Sequence, residues 1–179
     1  MSNWEAIHSS QNDHWETPSH LFDALNRQFA FDLDAAAADN TAKCDYYFTR
    51  EDDALSQSWA APERFRVKPG APLPDPSRWR TVWLNCPYGR NMGVWLEKAV
   101  EESRQGLTVV TLTMASTDTA WWHDHVMAHA TEVRLLRGRV RFLLDGELKS
   151  ACPKGSAISI FTPWGQRGRP NVLSWVLDH

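Results

Sequence analysis

The sequence predicts an α/β protein, a three-layer mixed sheet that finishes in antiparallel strands, and three observations predict it. Short apolar runs alternate with stretches of helical periodicity between Thr17 and Ala130. Beyond Ala130 come strand-like runs with no helical pattern between them. A chain of 179 residues with 42% hydrophobic content is long and apolar enough for one domain with a real core. Residues 1–179 are read as that single domain.

The elements follow in order. Thr17-Pro18 is read as a helix start, with Thr as the N-cap and Pro preorganised at the first helical position. Leu21, Phe22, Leu25 and Phe29 then share one helical face. Phe29 to Asp34 alternates apolar and polar, so a strand should end near Asp34. Ala35 to Asn40 follows as a turn of small residues, which would let a ligand approach the backbone. Tyr46-Tyr47-Phe48 reads as a short second strand, trailed by Glu51-Asp52-Asp53. Pro62 to Arg80 carries five prolines and no periodicity, which marks a loop or insertion at about 60–80, either a functional lid or inert.

The remainder alternates clearly. Thr81 to Leu84 is a strand, Met92 to Gln105 a helix stopped by Gly106, and Leu107 to Leu112 a buried strand. Asp118 to Ala130 is a second helix of this half. Glu132 to Leu136, Arg139 to Leu144, Ala157 to Phe161 and Val172 to Leu177 are strands, with Asp145-Gly146 as a hairpin turn.

Composition narrows the function classes. No stretch approaches the roughly 20 apolar residues of a membrane span. Met1-Ser2-Asn3-Trp4-Glu5 lacks the basic and apolar regions of a secretory signal. Cys44, Cys86 and Cys152 cannot all pair and show no zinc-type spacing, so a reduced, cytoplasmic setting is expected. The net charge of −3 hides an asymmetry: residues 1–55 hold eleven acidic and three basic side chains, while the remainder holds sixteen basic and eleven acidic. The C-terminal half could therefore meet a phosphate backbone, or the charges could simply be solvated. His125 and His129 stand at i, i+4 near His123, a spacing that can bind metal, yet no Glu lies between them, no third carboxylate ligand is evident and no metal is expected. Ten tryptophans could serve the core, the stacking of a flat ligand, or both.

Asn85-Cys86-Pro87-Tyr88, just past the strand Thr81 to Leu84, carries the most specific chemistry. The exocyclic amine of a nucleobase is a poor nucleophile, because its lone pair is delocalised into the ring. A site that accepts hydrogen bonds from both N–H groups and holds the ring flat exposes that lone pair. Asn85 can accept one N–H through its side-chain oxygen and the carbonyl of Cys86 the other. Pro87 stiffens the backbone between them and Tyr88 can stack on the ring. An ordinary Asn/Pro turn with a core tyrosine would look the same.

Beyond that motif, the chain resembles the phage-type DNA N6-adenine methyltransferases. The ordered likeness comprises Asp13-x-Trp15-x-Thr17-Pro18, Phe31-Asp32-Leu33-Asp34-Ala35-Ala36, Cys44 with Tyr47-Phe48-Thr49, Asp53-Ala54-Leu55 with Trp59, Asn85-x-Pro87-Tyr88-Gly89, Thr117-Asp118-Thr119 before Trp122-His123, and Gly138-Arg139-Val140-Arg141-Phe142. The resemblance implies a methyltransferase-like (Rossmann-like) topology, S-adenosyl-L-methionine as cofactor and double-stranded DNA as partner, with the adenine flipped into the site. It assigns Asn85, Cys86, Pro87 and Tyr88 to catalysis. It places Asp34 and Ala35 near the methionine part of the cofactor, Trp15, Thr17 and Pro18 in a segment closing over it, and Asp53 on its adenine amine. Arg90, Arg139 and Arg141 are the expected DNA contacts. The family usually carries proline where this chain has Cys86, so some backbone stiffness, and with it some activity, should be lost. Other amine acceptors (cytosine N4, RNA adenine, a protein glutamine) and a non-catalytic DNA-binding relative remain the alternatives. A thiolate mechanism at Cys86 has little support, since no Lys or His within three positions would lower its pKa.

Overall fold

Successive residues of the central strands turn to opposite faces of one sheet, and this builds two cores. On β4 (Thr81–Leu84), Val82 and Leu84 enter one cluster and Trp83 the other. On β5 (Thr108–Met114), Val109 joins the first cluster while Val110 and Leu112 join the second. Helix α1 (Ser19–Phe29) covers the second face with Leu21, Phe22 and Leu25. Helix α2 (Met92–Arg104) covers the first with Met92, Leu96, Ala99 and Val100. The result is the three-layer arrangement that the sequence predicts. The computed structural model describes residues 15–89, 91–144, 146–148, 152, 154–163 and 169–176.

The other strands are β1 (Leu33–Asp34), β2 (Tyr46–Tyr47), β3 (Arg66–Val67), β6 (Glu132–Leu136), β9 (Ser156–Phe161) and β10 (Asn171–Trp175), with β7 (Leu143–Leu144) and β8 (Glu147–Leu148) forming a separate pair. The eight-stranded sheet runs β10-β6-β9-β5-β4-β1-β2-β3. β1 is parallel to β2 and β4, and β4 is parallel to β5. β9 is antiparallel to both β5 and β6, whereas β10 is parallel to β6. This mixed α/β sheet is compatible with the methyltransferase-like fold. Its antiparallel character in the C-terminal half resides in β9.

Several elements differ from expectation for identifiable reasons. α1 begins at Ser19 with Pro18 as N-cap, and Thr17 is buried with no hydrogen-bond partner for its hydroxyl among the described residues. Phe29 ends α1 rather than opening a strand, because Ala30 takes the left-handed conformation (φ 50°) and turns the chain. Pro62 to Arg80 is not structureless. It supplies β3, antiparallel to β2, and a 3₁₀ turn at Pro76–Arg78, while Trp79 stacks on Tyr46 at 5.2 Å and meets Phe65 edge-on at 5.3 Å. Residues 120–129 are helical with a π-helical core at Trp122–Met127, so the helix is shorter and wider than the 3.6-residue period implies. Of Arg139 to Leu144 only Leu143–Leu144 is strand, although side chains still alternate: Val140 and Phe142 are buried, Arg139 and Arg141 exposed. Asp145 and Leu177 lie outside the described residues, as does Arg90.

Candidate active site

A cavity of about 1120 Å³ opens at the carboxyl ends of β1, β4 and β5, where ligand sites of open α/β sheets lie. Its two principal walls come from the turn after β1 and the turn after β4.

The first wall starts at Asp34, which does not itself line the cavity. Its carboxylate faces the following turn and accepts from the Lys43 N–H at 2.9 Å and the Ala36 N–H at 3.3 Å. Burial pushes this carboxyl up to about 6, only partly offset by those two hydrogen bonds. Asp34 thus folds the turn so that Ala35 to Ala38 present small side chains and bare backbone to the cavity. The wall continues through Thr49 to Asp53. There the Thr49 N–H and hydroxyl both donate to Asp52, and Arg66 pairs with the same carboxylate at 3.0 Å. Burial would raise the Asp52 carboxyl, but the Thr49 and Arg66 hydrogen bonds together outweigh it and hold it below the ordinary range. Asp53 follows in a left-handed conformation (φ 48°), exposed on the cavity wall. Beneath it, Trp59 Nε1 donates to the Ala54 carbonyl at 2.8 Å, and the Trp59 N–H donates to Glu102 of α2 at 3.0 Å. Asp52, Arg66, Trp59 and Glu102 support the wall, although none belongs to the ligand set expected from the sequence.

The second wall holds the motif. Asn85 Nδ2 donates to the carbonyl of Trp15 at 2.8 Å, which commits the amide nitrogen to protein and leaves Oδ1 as the acceptor. That oxygen accepts from the Tyr88 hydroxyl at 3.2 Å. Burial pushes the Tyr88 phenol well above its ordinary range, so it remains a neutral donor. The Tyr88 ring stands edge-on to Phe142 at 5.6 Å, and Trp15 meets the same Phe142 at 6.5 Å. The segment carrying Trp15 is pinned by a bridge of Glu16 to Leu143, with N···O distances of 2.9 and 3.1 Å, and by the Gly146 N–H donating to Glu16 Oε1 at 3.1 Å.

Cys86 points the other way. It is 2% exposed, with Sγ 3.4 Å from Met92 Sδ inside the core. Burial pushes its thiol up to about 12, which leaves no thiolate at neutral pH. The cysteine side chain is therefore a packing element.

The cavity thus brings together Trp15, Ala35, Asp53, Asn85, Pro87 and Tyr88 of the expected site residues. Thr17, Pro18, Asp34 and Cys86 are buried beside it and do not line it. Arg139 and Arg141 are exposed and also lie off its wall, with Arg139 Nη1 donating to the Cys152 carbonyl at 3.1 Å. The tryptophans divide as well: Trp59, Trp79, Trp83 and Trp122 are buried in the cores, while Trp15, Trp95 and Trp121 line the cavity. Phe142, Ser116, Thr119 and Lys154 escaped the sequence reading as site residues. Phe142 and Thr119 stand within stretches that carry the family resemblance, and Phe142 also has the inward phase of the alternation with Arg139 and Arg141. Among the described residues no group of three or more His, Cys, Asp or Glu side chains gathers to hold a metal, and no helix is long and apolar enough to cross a membrane.

Known proteins similar to this chain carry methyltransferase descriptions. The DNA N-6-adenine-methyltransferase of Escherichia phage T1 is 25% identical over 135 residues, covering 75% of this chain and 49% of its own length. The chain thus spans about half of that relative. The DNA N-6-adenine-methyltransferase of Haemophilus phage HP1 is 25% identical over 159 residues, covering 86% of this chain and 81% of its own. The putative methyltransferase YfdM of Escherichia coli (strain K12) is 38% identical over 65 residues, 36% of this chain and 69% of its own. The model of the family described as DNA N-6-adenine-methyltransferase (Dam) matches residues 5–177, so this chain belongs to that family, whose reaction requires a methyl donor.

Proposed function

We propose that this chain transfers a methyl group from S-adenosyl-L-methionine to the N6 amine of an adenine flipped out of double-stranded DNA. One observation carries the reading: the amide of Asn85 is oriented by the Trp15 carbonyl, so that its oxygen is an acceptor on the cavity wall. An incoming amine takes the place of the Tyr88 hydroxyl on Asn85 Oδ1, and the Cys86 carbonyl accepts the second N–H. Both bonds localise the nitrogen lone pair and direct it at the methyl donor. Tyr88, backed by Phe142, supplies the ring face on which the base stacks. No strong general base is needed, because the methylated nitrogen is cationic and loses its proton readily.

The residues present fit the cofactor. The alanine turn offers unobstructed backbone, Asp53 a carboxylate for an amine, and Ala54 and Leu55 apolar contact. When bound, the cofactor supplies an electrophilic methyl group on a sulfonium. Trp15, Thr17 and Pro18 would close over that side, while Arg90, Arg139 and Arg141 would meet phosphates. Residues 1–179 would work as one domain in the cytoplasm. The family description and the phage relatives favour DNA adenine over cytosine N4, RNA adenine or a protein glutamine. The packed, protonated Cys86 argues against a thiolate route.

Purified full-length chain, duplex DNA and methyl-labelled cofactor test the reading through nucleoside analysis of the product. Label should appear as N6-methyladenine, and Asn85→Ala should lose at least about a hundredfold in rate with its fold intact. Absence of cofactor binding by the wild-type chain would refute it.

A further inference from the structure

Lys154 is a cation on the cavity wall for which the catalytic motif has no use. It precedes β9 and is half-buried, and its Nζ donates to Ser116 Oγ at 3.3 Å. The two segments are tied together by the Ala115 N–H donating to the Gly155 carbonyl at 2.8 Å. Ser116 is 5% exposed and, while accepting from Lys154, keeps its own O–H to donate. Among the described residues Lys154 forms no ion pair; the pairs present engage Arg66, Lys98 and Arg134. An ammonium and a hydroxyl on one wall, without a carboxylate partner, form a site for an anion.

The sheet order says which anion. β9 follows β5, β4 and β1 in the sheet, so Lys154 stands three strand spacings from the Asp34 turn, on the order of 14 Å, with Asn85 between them. In-line transfer places donor and acceptor on opposite sides of the migrating methyl group. With the donor against Ala35 to Ala38, the nucleotide bearing the reactive amine lies on the Lys154 side. We infer that Lys154 and Ser116 bind a backbone phosphate of the DNA strand next to the flipped nucleotide. This rests on the proposed function and adds a phosphate site to it.

The test uses full-length wild-type, Lys154→Met and Lys154→Arg chains with long mixed-sequence duplex DNA. Lys154→Met should raise the KM for DNA about tenfold, the loss of one charge-assisted contact. It should also lower the slope of log affinity against log salt by about 0.9. The cofactor KM should stay unchanged, and Lys154→Arg should restore DNA affinity. A Lys154→Met chain with wild-type DNA KM and salt slope would overturn the assignment. A raised cofactor KM with unchanged DNA KM would also overturn it, by giving the cation to the carboxylate of the methyl donor. If the wild-type chain methylates no DNA, the acceptor reading itself fails and the phosphate site with it; DNA methylation that ignores Lys154 removes the site alone.

Discussion

The two walls of the cavity are built by opposite strategies. The wall after β1 is assembled almost locally: Asp34 ties residues 36 and 43, Thr49 and Asp52 close a capping box, and Phe48 pairs its backbone with Asp34 and Ala37. The wall after β4 is held from a distance. Asn85 bonds to Trp15, seventy residues away, and Tyr88 leans on Phe142, whose neighbour Leu143 pins the Trp15 segment. The first wall should therefore form with the sheet itself, while the second is complete only when the N-terminal segment docks. Cofactor affinity and base methylation should respond separately to substitution.

Phe142→Ala breaks the comparison most severely. Removing a buried ring shared by Tyr88 and Trp15 should cost about 3–5 kcal/mol in denaturant unfolding. Methyl transfer should fall further than cofactor affinity, which keeps the wall from Ala35 to Asp53 and loses only the closure by Trp15, and equal losses in both would contradict the separation of the walls.

Asp34→Asn sharpens the account of the first wall. Burial raises the folded carboxyl from 3.8 to about 6, so between those values the native state holds a proton that the unfolded state has released. The stability this group contributes is thus full below about pH 4 and declines as pH rises through about 6. The wild-type advantage over Asp34→Asn should shrink by about 3 kcal/mol between pH 4 and 7. A pH-independent difference in unfolding free energy would count against that carboxylate environment.

Cys86→Ser is expected to do least. Burying a hydroxyl where the thiol met Met92 should cost about 1–2 kcal/mol of stability. Turnover should remain within a few-fold of wild type, since chemistry uses the backbone there. Complete loss of activity in a folded Cys86→Ser chain would restore the thiolate mechanism.

The same contrast explains what was legible in the sequence. Thr81–Leu84 and Glu132–Leu136 match the expected strands at both ends: the first is an apolar run buried in the sheet at Val82, Trp83 and Leu84, the second a mixed run whose Val133 is buried. Asn85, Pro87 and Tyr88 were legible because motif and strand end coincide in sequence. Trp15 was legible as a residue, but its role as the carbonyl that orients Asn85 was not, since backbone acceptors leave no mark on sequence. Lys154 carried no signal either: it reaches the cavity only because β9 reverses direction and starts where β5 ends. The π-helical core at Trp122–Met127 was hidden because periodicity counts assume 3.6 residues per turn.

The central claim is that Trp15 holds the Asn85 amide with its oxygen turned to the substrate, and Asn85→Asp tests it most directly. Aspartate would accept a hydrogen bond from the amine as well as asparagine does. It has no N–H for the Trp15 carbonyl, however, and would set a carboxylate oxygen against a carbonyl oxygen where a 2.8 Å hydrogen bond now stands. Single-turnover methyl transfer to duplex DNA by Asn85→Asp should be slower by about a hundredfold, with cofactor affinity retained. A wild-type rate in that variant would contradict the claim.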